Sequence, residues 1–115
     1  MNDLEELKIY KEYSELLRYS YFIVNKIKDE YLKSSILDIT IKGMNNLIYA
    51  YKSYNNKLGY LNKLDANLKI LKVLVRITYK NKYLNHHNLN AWLKKITNIN
   101  NLLMGFMKYV KDNKK

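Results

Sequence analysis

Leu61 to Leu84 reads LNKLDANLKILKVLVRITYKNKYL, and this stretch decides the fold. Apolar or small side chains recur every three or four residues, the spacing that places them on one side of an α-helix. The predicted inner side consists of Leu61, Leu64, Leu68, Leu71, Val75 and Thr78. A second apolar set extends around the helix and comprises Ile70, Val73, Leu74 and Ile77. Because one core does not need this much apolar surface, we expect the helix to have a second interface.

The same stretch carries a line of positive charge. Four cationic residues lie three and four positions apart, a spacing that stacks side chains along one side of a helix. They are Lys69, Lys72, Arg76 and Lys80, and we call them the basic stripe. Asp65 precedes Lys69 by four residues, which favours an ion pair between the two.

The composition indicates an all-α protein. The 115 residues include no proline and three glycines, which argues against β-turns and for long helices with short connections. A chain of this length can form one proper core, so we expect a single domain over residues 1–115. Cysteine is absent, which excludes disulfides and thiolate metal sites.

Periodicity and turn signals predict four helices, at about residues 3–27, 30–55, 61–82 and 86–111. Asn2 or Asp3 is the expected N-cap of the first helix, and Asn85 that of the fourth. The predicted inner side of the second helix includes Tyr54, and Gly43 on that side indicates close packing of a partner helix. Four amphipathic helices with short loops predict an antiparallel up-down-up-down four-helix bundle.

The net charge of +11 is unevenly distributed. Residues 1–38 have six basic and eight acidic side chains, whereas residues 39–115 have fifteen basic and two acidic ones. Such a field attracts polyanions and gives salt-dependent binding. An AT-rich genome would also explain abundant lysine, but it does not explain why acidic residues become rare after Asp38. We therefore favour nucleic-acid contact, with Lys94 and Lys108 of the fourth helix adding to the basic stripe.

No set of residues predicts catalysis or a cofactor. His86 and His87 are adjacent and have no carboxylate at a metal-ligand spacing, so a surface turn is favoured over a metal site. Glu5, Glu12 and Glu15 have no nearby histidine or apolar pocket that would support acid–base chemistry, which favours a solvated face. Tyr79 and Tyr83 lie beside the basic stripe and could stack on bases or pack against the core. The N-terminus is no signal peptide and no apolar run could span a membrane, so we expect a cytoplasmic protein.

Several of these residues also match a family pattern. Leu64 and Asp65, followed by Leu68, Leu71, Lys72, Leu74 and Arg76, resemble the pattern LDxxLxxLRxLLR of accessory variability determinant proteins of diversity-generating retroelements. Residues 83–85 are similar to the helix-breaking turn of that family. The closing motif of that family is IGRMLGGWIK. This chain resembles the motif at Ile99, Leu103, Gly105, Phe106 and Lys108. The chain departs from the pattern at Lys72, Asn100, Asn101 and Met104.

The resemblance implies a four-helix bundle assembled as a homopentameric barrel. It also implies that the basic surface binds RNA or DNA and that the protein partners a reverse transcriptase during mutagenic copying of a template RNA. In this interpretation the basic stripe, Lys94 and Lys108 engage phosphates. The alternative is an oligomeric protein-interaction module whose basic surface meets an acidic protein. Neutralisation of the stripe by Glu5, Glu12 or Glu15 of a neighbouring subunit is also open.

Overall fold

The computed structural model describes Leu4 and residues 7–113, which form four α-helices and no strand. The helices are α1 (Lys8–Ile23), α2 (Glu30–Lys52), α3 (Lys57–Lys80) and α4 (His86–Asp112). A short 3-10 helix, Val24–Lys26, follows α1. None of the helices in this part of the chain is long and apolar enough to cross a membrane.

The four helices pack as a closed square. α1 contacts α2 and α4, and α3 contacts the same two helices from the opposite corner. The connections are short, so consecutive helices are antiparallel. This arrangement is the predicted all-α, up-down-up-down bundle, and it places α1 diagonally across from α3.

The inner side of α3 matches the prediction. All six predicted inner residues are buried: Leu61, Leu64, Leu68, Leu71, Val75 and Thr78. They meet the buried side of α4, where Trp92, Ile96, Ile99 and Leu103 are fully enclosed. Thr78 is accommodated because its hydroxyl donates to the Leu74 carbonyl at 2.8 Å. The core is therefore filled by one side of each helix, with its polar groups satisfied.

Gly43 of α2 lies against side chains of both α1 and α3. A Cβ at this position would overlap the hydroxyl of Tyr13 from α1 and would approach Leu64 of α3 to 3.3 Å. The Tyr13 hydroxyl donates to the Thr40 carbonyl at 2.7 Å. Burial raises the pKa of this hydroxyl well above its ordinary value, so it remains a donor. The predicted close approach at Gly43 is confirmed.

A second buried hydrogen bond joins α1 to α4. The Trp92 indole Nε1 donates to Ser20 Oγ at 3.1 Å, and both side chains are buried. The Tyr19 ring packs edge-on against Trp92, with the ring centroids 6.2 Å apart. A buried indole N–H without a partner would cost about 1–3 kcal/mol, and Ser20 supplies the partner.

The predicted connection between α2 and α3 was wrong at both ends. α2 ends at Lys52 instead of residue 55, and α3 begins at Lys57 instead of residue 61. Lys57 Nζ donates to the carbonyls of Ala50 and Tyr51 at 3.0 Å each, satisfying the last turn of α2. Tyr54 therefore falls in the connection and is fully exposed instead of lining the core.

The first helix also differs from its predicted bounds of 3–27. The α-helix begins at Lys8 and ends at Ile23, where the chain tightens into the 3-10 turn. Val24 and Ile27 are nevertheless buried. The expected cap at Asn2 or Asp3 lies outside the described residues. The second helix is capped by Asp29, whose side chain accepts from the Leu32 N–H at 3.1 Å.

Candidate nucleic-acid interface

Two contacts identify the side of α3 that faces α2. Asn67 accepts a hydrogen bond from Asn46 of α2 at 2.7 Å. The rings of Tyr60 and Tyr49 lie 5.5 Å apart across the same boundary. Lys72 follows Asn67 by five residues, a rotation of roughly 140° around the helix axis. The basic stripe consequently lies on the other flank of α3, toward α4.

The four members of the basic stripe differ in their freedom to bind a ligand. Lys69 Nζ lies 2.7 Å from Asp65 Oδ1, which confirms the predicted ion pair. Lys72 is half-buried. Arg76 and Lys80 are exposed and form no ion pair with any described residue. The free positive charge is therefore concentrated in the C-terminal half of α3.

The two predicted contacts on α4, Lys94 and Lys108, are both exposed. They are 14 residues apart, or about 21 Å along a helix. The only acidic residue within α4 is Asp112 at its C-terminal end, and the only one within α3 is Asp65. The two helices thus offer a cationic surface that their own carboxylates leave largely uncompensated.

Lys94 and Lys95 are adjacent in the sequence but lie on different surfaces of the bundle. Lys95 Nζ lies 5.3 Å from the centroid of the Tyr19 ring on α1, a cation–π contact. Glu15 is nearby, and its hydrogen bond from Arg18, 2.8 Å long, lowers the pKa of the Glu15 carboxyl. Lys95 therefore belongs to the boundary between α1 and α4, whereas its neighbour Lys94 is exposed. Glu15 lies across the bundle from the basic stripe of its own chain.

The two candidate stacking tyrosines have different environments. Tyr83 packs against the hydrophobic core, whereas Tyr79 is partly exposed. The ring of Tyr79 lies 6.0 Å from that of His86, the first residue of α4. Of the pair, Tyr79 is the better placed to meet a base.

The turn between α3 and α4 contributes a cation that the sequence analysis did not single out. Lys82 is exposed and adopts a left-handed backbone with φ of 66°. It lines a small depression with Tyr79, Lys80 and His86. The signal in the sequence is the short run Lys80 to Lys82, which extends the charge of the stripe into the turn. Asn85 caps α4 as predicted, accepting from the Asn88 N–H at 2.7 Å.

This arrangement suits phosphate binding better than chemistry. Exposed ammonium and guanidinium groups bind phosphates and position a nucleic acid, but they do not read base sequence. His86 and His87 are exposed. In the described part of the chain no three potential ligands cluster where they could hold a metal ion.

Comparison with known proteins adds one finding. The model of the bAvd-like family matches residues 7–110, which is nearly the whole chain. The family is that of the accessory variability determinants of diversity-generating retroelements, which are four-helix bundles and in general not catalytic. No curated protein matches the chain.

Proposed function

The chain belongs to the bAvd-like family, and we propose that it is a non-enzymatic accessory protein that binds template RNA for a reverse transcriptase. In this role it acts in the mutagenic retrohoming of a diversity-generating retroelement. The family itself supports an accessory role in such an element and a partnership with its reverse transcriptase. The RNA-binding surface is our inference from the charges of α3 and α4.

The observation that carries the proposal is the uncompensated charge of the basic stripe. Arg76 and Lys80 have no ion-pair partner among the described residues, and Asp65 neutralises only Lys69. A surface of this kind gains free energy by releasing the counterions condensed on a nucleic acid. The proposed phosphate contacts are the four stripe residues together with Lys94 and Lys108. Duplex DNA or an RNA–DNA hybrid would meet the same cations through phosphates.

The proposed functional form is a homo-oligomer. Exposed apolar side chains on α3 remain after the core is filled, which favours association of several copies. A homopentameric barrel is the form that the resemblance to the family implies. Assembly would repeat the basic stripe in each subunit and raise the avidity for a long RNA.

A protein-interaction role is the second candidate. Exposed lysines can meet an acidic protein as readily as a polyphosphate, because neither contact requires base-specific groups. A reverse-transcriptase gene adjacent to the gene for this chain would favour the first candidate. Its absence, together with capture of an acidic protein through the same stripe, would favour the second.

The direct test is charge reversal on the stripe. We expect Lys72→Glu combined with Arg76→Glu to weaken binding of a structured RNA by at least about tenfold at low salt, because repulsion replaces attraction. Fluorescence anisotropy with a labelled RNA measures the affinity, and circular dichroism checks the fold.

The matched control is Lys11→Glu combined with Lys26→Glu. Both side chains are exposed at the opposite corner of the bundle, and the pair changes the net charge equally. The control should retain most of the affinity. Equal losses in the two double variants would show that net charge alone drives binding, and an unchanged affinity in the stripe variant would refute the assigned surface.

A further inference from the structure

α3 presents an apolar ridge to solvent, made of Ile70, Val73 and Ile77. Their exposed fractions are 48%, 55% and 38%. All three are β-branched, a class with lower helix propensity than leucine, lysine or glutamate. An exposed helix position gains nothing from such residues unless they become buried. The ridge is therefore a surface that the isolated subunit leaves uncovered.

The ridge continues onto α2. Ile70 follows Asn67 by three residues, and Asn67 is hydrogen-bonded to Asn46 of α2. Tyr49 of α2 is more than half exposed and packs on Tyr60 of α3. We call the surface formed by the ridge, Asn46 and Tyr49 the α2–α3 face. Its polar groups are amides and phenols together with the exposed Lys63, whose Nζ lies 5.4 Å from the centroid of the Tyr60 ring.

We infer that the α2–α3 face is the contact between copies of this chain in the proposed oligomer, while the basic stripe stays free for nucleic acid. The inference rests on the proposed assembly and assigns its surface. It assigns the two tasks of α3 to adjacent strips on the outer side of one helix.

Charge favours a second copy as the occupant. A chain with a net charge of +11 repels its copies wherever lysines cluster, so association is cheapest where charge is sparse and mixed. Asp38 and Lys42 border the face on α2, since they precede Tyr49 by eleven and seven residues. Both are exposed, and neither forms an ion pair with a described residue. A second copy brings its own Asp38 carboxylate and Lys42 ammonium to the same boundary, so groups of opposite charge can pair there.

The size of the face also fits. The narrowest extent of the molecule is 20 Å, and α3 has 24 residues. At 1.5 Å per residue α3 is about 36 Å long, so the whole side of the molecule that contains the face covers roughly 700 Å². A stable interface buries about 800 Å² per partner. A nucleic acid would gain little binding free energy at this face, because aliphatic side chains form neither hydrogen bonds nor ion pairs with phosphates.

The test compares Val73→Glu with Arg76→Glu, three residues apart on the same helix. Light scattering after size-exclusion chromatography gives the mass, and anisotropy on the same samples gives RNA affinity. We expect wild type and Arg76→Glu to share an oligomeric mass, with Arg76→Glu binding RNA more weakly. Val73→Glu should dissociate, with at least a tenfold weaker association and an unchanged helical circular dichroism spectrum. A Val73→Glu variant with the wild-type mass would overturn the assigned face but not the oligomer.

A cysteine reporter makes the test independent of a disruptive charge. The chain contains no cysteine, so Val73→Cys introduces a single thiol. Maleimide should label this thiol at least tenfold more slowly in the oligomer than a control thiol introduced by Asn98→Cys, which is exposed on α4 beside α1. Dilution to the monomer should remove the difference. Equal labelling in the oligomer would overturn the inference. A wild-type chain that binds RNA as a monomer would overturn the face and the assembly while leaving RNA binding intact.

Discussion

The inner and outer sides of α3 differ in almost every physical property. The inner side consists of six buried residues, spaced three and four apart, that pack against α2 and α4. The outer side carries the basic stripe on one flank and the apolar ridge of Ile70, Val73 and Ile77 beside it. The inner side gains free energy within the subunit, whereas the outer side can gain it only from another molecule.

This difference separates stability from function along one helix. A change on the inner side leaves a cavity that the bundle must absorb, so unfolding becomes easier. A change on the stripe removes or adds a solvated charge, which costs the fold little but alters attraction to a polyanion. Variants only one turn apart should therefore affect different measurements.

The largest expected loss of stability comes from the inner side. Leu71→Ala should lower the free energy of unfolding by about 2–5 kcal/mol, because Leu71 is buried between the helices and its loss leaves a cavity. Urea denaturation followed by circular dichroism measures the change. Asn62→Ala, exposed on the same helix, should change stability by less than about 0.5 kcal/mol. Similar losses in both variants would contradict the division between the two sides.

Gly43 of α2 and Gly105 of α4 should respond to alanine with opposite signs. Gly43→Ala should destabilise by about 1–2 kcal/mol, since the new methyl displaces the Tyr13 hydroxyl from Thr40 and outweighs the gain in helix propensity. Gly105→Ala should stabilise by about 0.5–1 kcal/mol, because a Cβ there meets nothing within 4 Å. Thermal or urea unfolding of the two variants measures the sign of each change in stability. Stabilisation by Gly43→Ala would show that Tyr13 is not held against α2.

The smallest expected effect on stability concerns the one carboxylate beside the stripe. Asp65→Asn removes the exposed ion pair to Lys69 and should cost only a few tenths of a kcal/mol. The same change frees Lys69, so RNA affinity at low salt should rise about twofold to fivefold. Anisotropy and urea unfolding on the same preparation measure the two effects. A fall in affinity would mean that Asp65 itself contacts the ligand.

The sequence predicted the buried residues correctly where the spacing of apolar residues fits only one side of a helix. The six inner residues of α3 were predicted correctly because leucines recur at positions that only one helical side can share. Gly43 was also interpretable, since a glycine inside an apolar arc has few uses other than close packing. The partner it admits, Tyr13 of α1, could not be predicted because helix pairing depends on the tertiary arrangement.

The sequence was less informative about where the helices end and about the direction in which the outer side of α3 faces. Glycine between helices usually marks a turn, yet Gly59 lies in the first turn of α3 with an ordinary helical backbone. Lys57 stabilises this earlier start by bonding the end of α2, a contact between neighbouring helices that no propensity encodes. The sequence also did not show that the basic stripe faces α4. This orientation follows from the contacts of Asn67 and Tyr60 with α2.

The most direct measurement is the salt dependence of RNA binding by wild type and by Lys72→Gln combined with Arg76→Gln. Each phosphate contact contributes about 0.7 to the slope of log affinity against log salt for single-stranded RNA. We predict a steep decline for wild type and a slope shallower by about 1.4 for the double variant, which loses two cations. Parallel lines for the two proteins would mean that neither Lys72 nor Arg76 contacts phosphate, and would contradict the proposed interface.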